Sequence, residues 1–153
     1  MHTAAAIEIR PFGPADFDFV VEQWHRTNLA AYTCVAEHQR HSLEDARRCF
    51  ARRILPCCGV WVAEARGQVA AVIALRAPWI EQLAVFAGFR RNGVGTRLSE
   101  VARANSPTEL RAFTFQRNIA ARAFYERNGF AVVAFGVSPA PESEPDVLYR
   151  WVA

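Results

Sequence analysis

Apolar residues recur along the chain in two rhythms, and the switches between them mark out a mixed α/β sequence. Ile7-Glu8-Ile9-Arg10 alternates and predicts a short strand, which Pro11 stops. After Ala15, residues Phe17, Val20, Val21 and Trp24 fall at i, i+3, i+4 and i+7, the spacing of one helix face. Residues 28–41 are expected to be irregular. Ser42-Leu43-Glu44-Asp45 has the form of a capping box and opens a second helix, with Leu43, Ala46, Phe50 and Ile54 on one face and Pro56 closing it. Three strands follow in quick succession at 60–65, 69–76 and 80–86, joined at Arg66-Gly67 and Ala77-Pro78, so antiparallel pairing is expected. A glycine-bearing loop at 88–95 runs into a helix with Val94, Leu98, Val101 and Ala102 inward. That helix is ended by Asn105-Ser106-Pro107. A strand at 110–115, a helix at 118–128 with Gly129 past its end, and strands at 130–137 and 147–152 complete the chain.

The order β-α-α-β-β-β-α-β-α-β-β describes an α/β fold with a mixed central sheet of about seven strands and four helices. One domain over residues 1–153 is the expectation at this length. With 52% apolar residues, including 11 Phe and 4 Trp, the chain can fill such a core, and 22% charged residues is too few for a disordered one.

Charge adds one exclusion. All 18 basic residues are Arg, and no Lys occurs anywhere. Schiff-base and pyridoxal-phosphate chemistry needs a Lys amine, and a phosphate loop of the NTPase type needs its Lys, so both are ruled out. The net charge of +3 is too small to argue for nucleic acid or membrane as partner. The first residues have no basic n-region and no window reaches 18 uninterrupted apolar residues, so a cytoplasmic location is expected. Cysteines at 34, 49, 57 and 58 match neither a disulfide framework nor a zinc site, and no metal is expected. Cys57-Cys58 has no basic neighbour in sequence, so no thiol nucleophile is expected either.

The candidate chemistry lies at 80–98. A strand feeds a loop whose glycines stand at the entrance of a helix, where the first N–H groups lack intrahelical partners and point at an anion. A phosphate or pyrophosphate is the natural guest. Gly93-Val94-Gly95 is not a dinucleotide fingerprint, because Leu98 stands where the third glycine would be. Twenty-three residues after Gly95 comes Asn118, then Tyr125-Glu126-Arg127-Asn128-Gly129-Phe130.

Arg90-x-x-Gly93-x-Gly95 followed by Asn118 and Tyr125-Glu126-x-x-Gly129-Phe130 resembles the GNAT superfamily of N-acetyltransferases, over roughly residues 80–137, and the element order matches as well. The resemblance implies a GNAT-like fold and acetyl-CoA as co-substrate. The pyrophosphate would rest on the N–H groups of Arg90, Arg91, Asn92, Gly93, Val94, Gly95 and Thr96, with the two arginines adding charge. Between residues 88 and 127, eight arginines face three glutamates, although Arg97, Arg103 and Arg111 read as a solvated helix or strand face.

By position, Leu83, Ala84 and Val85 would offer freed backbone groups to pantetheine and the acetyl group, with Val85 N–H the donor to the developing oxyanion. Tyr125 would protonate the leaving thiolate; its other reading is a core aromatic. Asn118 would contact the cofactor and cap its helix. Glu81 stands where many members carry the carboxylate that deprotonates the amine; its other reading is a solvated edge residue.

Tyr32, His38, His41 and Glu22 fall in the segment that forms the acceptor wall in the family, and each is expected to be a surface or core residue. Glu142, Glu144 and Asp146 are expected to form a solvated acidic turn; as a loop over the site they would attract a cationic amine. Two departures from the family pattern are Ala87, where proline is common, and Ala71, where glycine is frequent.

The activity implied is direct acetyl transfer to a primary amine of a small molecule or peptide. A non-catalytic acyl-CoA-binding sensor and a different acyl donor are the alternatives, and a homodimer is left open. An Arg-rich RNA-binding domain is disfavoured by the weak net charge.

Overall fold

The computed structural model describes residues 6–31 and 39–153. Tyr32, Cys34 and His38 lie outside the described residues. The chain runs β1 (Ile7–Pro11), α1 (Phe17–Ala31), α2 (Leu43–Cys49), β2 (Gly59–Ala65), β3 (Gln68–Arg76), β4 (Trp79–Val85), α3 (Val94–Asn105), β5 (Glu109–Phe115), α4 (Ile119–Arg127), β6 (Ala131–Val137) and β7 (Pro145–Val152). The seven strands form one sheet in the order β1-β2-β3-β4-β5-β7-β6. All neighbours are antiparallel except β4 and β5. This is the predicted α/β fold with its seven-stranded mixed sheet, and four α-helices occur among the described residues.

Local rules account for most boundaries. Ser42 Oγ accepts the Asp45 N–H at 3.1 Å while Asp45 Oδ2 accepts the Ser42 N–H at 3.0 Å, a complete capping box at the start of α2. Instead of continuing as a regular helix to Pro56, α2 widens after Cys49 into a π-type turn over Phe50–Ile54. That turn keeps Phe50 and Ile54 buried, as their spacing predicts. α1 extends to Ala31, past the point where the sequence reads as irregular, and carries Asn28 and Leu29 on its last turn.

Residues Ala70 to Leu75 of β3 are buried on both faces, and both α1 and α3 pack against this strand, so the two helices cover opposite faces. On the α1 side Phe50 is the centre, with the rings of Trp24, Phe12 and Phe17 at 5.4, 5.6 and 6.1 Å. On the other side Leu98 and Ala102 are fully buried, while Val101 is half-buried and Ser99 takes an inward place, bonding back to Thr96 O. α4 packs on β7 through Tyr125 against Tyr149, ring centroids 5.5 Å apart.

Candidate active site

The two parallel strands at the middle of the sheet barely pair. Trp79 opposite Arg111 is the one registered pair, closed by Arg111 N–H to Pro78 O at 2.8 Å, and beyond it β4 and β5 diverge. Divergence leaves the β5-facing edge of β4 without a partner strand. The Phe86 N–H bonds to Ala70 O of β3 at 2.8 Å. Because peptide groups alternate along a strand, the Ala84 N–H also points to β3, whereas those of Leu83 and Val85 point into the cleft. The freed backbone donors of β4 are therefore Leu83 and Val85, and Ala84 contributes its small buried side chain instead.

At one mouth of the cleft lies the 88–96 loop. Phe89 is buried and anchors it, Arg66 lies over the Phe89 ring at 5.0 Å and donates to Gly88 O at 3.0 Å, and Arg90, Arg91 and Asn92 stay exposed. Positive φ values of 90°, 65° and 77° at Gly88, Arg91 and Gly93 curl the backbone into α3. Gly93 caps α3 with no side-chain bond. Apart from the hydrogen-bonded turn at residues 90–91, the N–H groups of residues 90–96 bond no carbonyl of a described residue. They form the concave donor array that an anion fills.

Gly95 has a second task. A Cβ there would stand 2.8 Å from Phe124 Cε2, so the glycine lets α4 close against the start of α3. Arg90 and Arg91 make no ion pair with a described residue. By contrast Arg97 pairs with Glu100, Arg111 with Glu109 and Arg117 with Glu144, while Arg103 bonds Asn128 O and lies over Trp151. Of the basic stretch, Arg90 and Arg91 on the loop, together with Arg127 at the end of α4, are left without such a partner among the described residues.

The opposite mouth opens into a cavity of about 1120 Å³ between the α1–α2 face, β4, β5 and the β6–β7 turn. Glu81 lines it. Ala74 pairs with Gln82 and Leu75 with Ile80, so Glu81 is the extra residue of a β-bulge, a device that re-aims a side chain at such sites. Glu81 is exposed, and Arg76 donates to its Oε1 twice, at 2.6 and 2.9 Å, so the solvated edge carboxylate also carries an ion pair. Gln82 beside it accepts the Trp24 indole N–H at 3.1 Å, which fixes the cavity floor.

Tyr125 is buried on α4 against Phe124, Phe130 and Tyr149, with centroids at 5.4, 5.1 and 5.5 Å. It is not among the residues lining the cavity. Asn118 Oδ1 accepts the Ala121 N–H at 3.0 Å and caps α4, its expected structural role.

The structure regroups the acceptor-side residues. Glu22 pairs with Arg26 at 2.8 Å on α1 and is not part of the cavity lining, whereas His41 lines it. His25, one helical turn above Val21, lines it as well; burial first, and then His41, pull its pKa down. The acidic turn is corrected: Glu144 and Asp146 are buried, at 9% and 8% exposure, because β7 begins at Pro145 rather than Val147. Asp146, which the sequence offers as part of an acidic loop over the site, does line the cavity, whereas His25, Arg52 and Arg53 were not legible as site residues. His25 stands on α1, Arg52 and Arg53 on the π-type turn and Asp146 on β7, three segments that form no local motif.

The model of the GNAT acetyltransferase domain matches residues 56–132, half of the chain. No curated protein matches the sequence. Among solved structures, the chain is similar to apo YjaB from Escherichia coli, with a TM-score of 0.79 and 25% identity over 97% of this chain and 99% of that one. PaiA N-acetyltransferase from Thermoplasma acidophilum, solved with coenzyme A, has the same fold at a TM-score of 0.68 and 15% identity over 97% and 99%. A GNAT-family acetyltransferase from Staphylococcus aureus shares it at 0.70 and 16% over 96% and 99%. With a splayed β4–β5 pair and an anion cradle at the head of α3, the chain belongs to the GNAT family of acetyl-CoA-dependent acetyltransferases.

Proposed function

We propose that the protein passes the acetyl group of acetyl-CoA directly to a primary amine of a small molecule or peptide. The observation that carries this reading is the two-mouthed cleft: one end offers backbone donors for an anion, the other a polar cavity, and unpaired β4 backbone lies between them. Both reactants then occupy the cleft together, and no covalent acyl-enzyme is needed. Burial raises the thiol pKa values of Cys49 and Cys58, which disfavours the thiolate that such an intermediate requires.

In this reading the N–H groups of residues 90–96 and the side chains of Arg90 and Arg91 hold the pyrophosphate. Asn118 orders the start of α4 beside the cofactor and contacts it, while Leu83 and Val85 bind the pantetheine and acetyl ends. The amine nitrogen attacks the thioester carbonyl carbon, so a C–N bond forms and the C–S bond breaks. Val85 N–H donates to the oxygen as charge develops there, and Tyr125 gives its proton to the departing sulfur. Of the two protons the ammonium loses, one passes through water to Glu81 and on to solvent, and the other restores Tyr125. Arg76 keeps the Glu81 carboxylate in place and leaves Oε2 outside the two Arg76 bonds.

The test is an amine-library screen for CoA release, preceded by calorimetry with acetyl-CoA. Heat on binding and amine-dependent thiol release are the expected results. No heat at millimolar acetyl-CoA overturns the reading.

A further inference from the structure

The charged residues lining the acceptor cavity divide into those already paired and those held open. Asp45 is spent on the α2 capping box and stands 3.6 Å from Arg48. Glu81 is bound by Arg76. Four others, Glu142, Asp146, Arg52 and Arg53, receive no ion pair or side-chain hydrogen bond from any described residue.

Asp146 is the most informative of them. It is 8% exposed, and its carboxylate receives no ion pair or side-chain hydrogen bond from a described residue. On β7 it lies between Phe115 of β5 and Gly136 of β6, and Phe113, Phe115 and Gly136 all line the cavity from that same sheet face. Alternation along the strand therefore sends the Asp146 side chain into the cavity. Gly136 keeps it open, since a Cβ there would sit 3.2 Å from Asp146 Oδ1. A carboxylate that faces the cavity without a counter-charge among the described residues is open to a cationic ligand group.

The opposite wall carries the other sign. Arg52 and Arg53 stand on the π-type turn that ends α2 and line the cavity as exposed guanidiniums with no ion pair to a described residue. A diamine would bring its second cation against them, and an uncharged amine would leave them without a counter-ion. An anionic oxygen group suits their planar forks.

We propose that the acceptor is a zwitterion, an amine that also carries a carboxylate or a phosphate, with its ammonium received by Asp146 and its anionic end by Arg52 and Arg53. The assignment rests on the acetyltransferase reading above and adds the acceptor's chemical class to it.

Equilibrium binding tests it without requiring turnover. The protein is saturated with CoA and titrated calorimetrically with four amines of equal chain length: an amino carboxylate, an aminoalkyl phosphate, an alkylamine and a diamine. At least one anionic amine should bind about ten-fold or more tightly than the alkylamine and the diamine. Which of the two does so identifies the anion. In the double variant Arg52→Ala/Arg53→Ala that preference collapses, and in Asp146→Asn the affinity for the anionic amine falls about ten-fold or more. Gly136→Ala, which crowds the carboxylate without removing it, weakens the same amine and guards against an Asp146 variant that fails to fold. Tighter binding of the diamine, equal binding across the series, or a preference that survives the double arginine variant overturns the proposal. CoA itself giving no heat overturns the underlying reading instead.

Discussion

The two mouths of the β4–β5 cleft are built on different principles. The cofactor side is made of backbone: a curled loop, a helix start capped by Gly93 without a side-chain bond, and outward-facing N–H groups, all within residues 88–96. The acceptor side is made of side chains from the last turns of α1, α2 and its π-type turn, the β4 bulge, β5 and the β6–β7 turn. A backbone cradle needs glycine where the chain turns back or packs closely, and it leaves a local signature. A side-chain cavity needs only that distant segments meet, and it leaves none. The first suits a ligand common to a family, and the second suits a ligand that differs between members.

Substitutions can break this contrast. Tyr125→Phe should have the largest effect, lowering turnover about 10- to 10⁴-fold with acetyl-CoA binding retained, as expected when a proton donor is lost. Unchanged turnover in steady-state kinetics would return Tyr125 to a purely packing role. Gly95→Ala should weaken acetyl-CoA binding about ten-fold and cost about 1–3 kcal/mol of stability, because the new methyl meets Phe124 and the ring has to move. Calorimetry and thermal melting read the two effects separately. A loss of stability with affinity intact would show that the second glycine of the motif serves packing alone.

On the acceptor side Glu81→Gln should reduce kcat by about 10- to 100-fold and flatten the acid limb of the rate profile, with the KM for acetyl-CoA little changed. Arg76→Ala should cost less than this, since Arg76 positions the carboxylate without touching substrate. An equal or larger loss in Arg76→Ala would reverse their roles. The smallest expected effect lies away from both mouths. Hydrogen bonding to Arg10 holds the Asp16 carboxyl below its ordinary value, so this pair stabilises the fold above the unfolded carboxyl pKa and the contribution is lost as pH falls through the folded one. Because Arg10 is more than a third exposed, Asp16→Asn should cost no more than about 1 kcal/mol at neutral pH, and its melting temperature should converge with the parent's on acidification.

Element order was legible because each element carries its own period or cap. Val20, Val21 and Trp24 mark one helix face, and Ser42 with Asp45 closes a capping box through bonds three residues apart. The places where the structure departs from the sequence reading are those that distant contacts decide. The π-type turn at Phe50 keeps a core ring among Trp24, Phe12 and Phe17. β7 starts two residues early because Pro145 and Asp146 find partners in Val137 and Gly136. That pairing turns an apparently solvated acidic run into buried carboxylates, a change no local pattern announces.

The sequence by itself determined the α/β order, the Lys-free chemistry and the anion cradle with its companion helix. All of these rest on interactions within a few residues of one another. Only the tertiary structure decided which way the β4 peptides face, which arginines are already paired, and that Asp146 lies within a cavity opposite Arg52 and Arg53. Each of these depends on strand register and on the meeting of segments about a hundred residues apart, and charge acquires its role only once its neighbours are fixed.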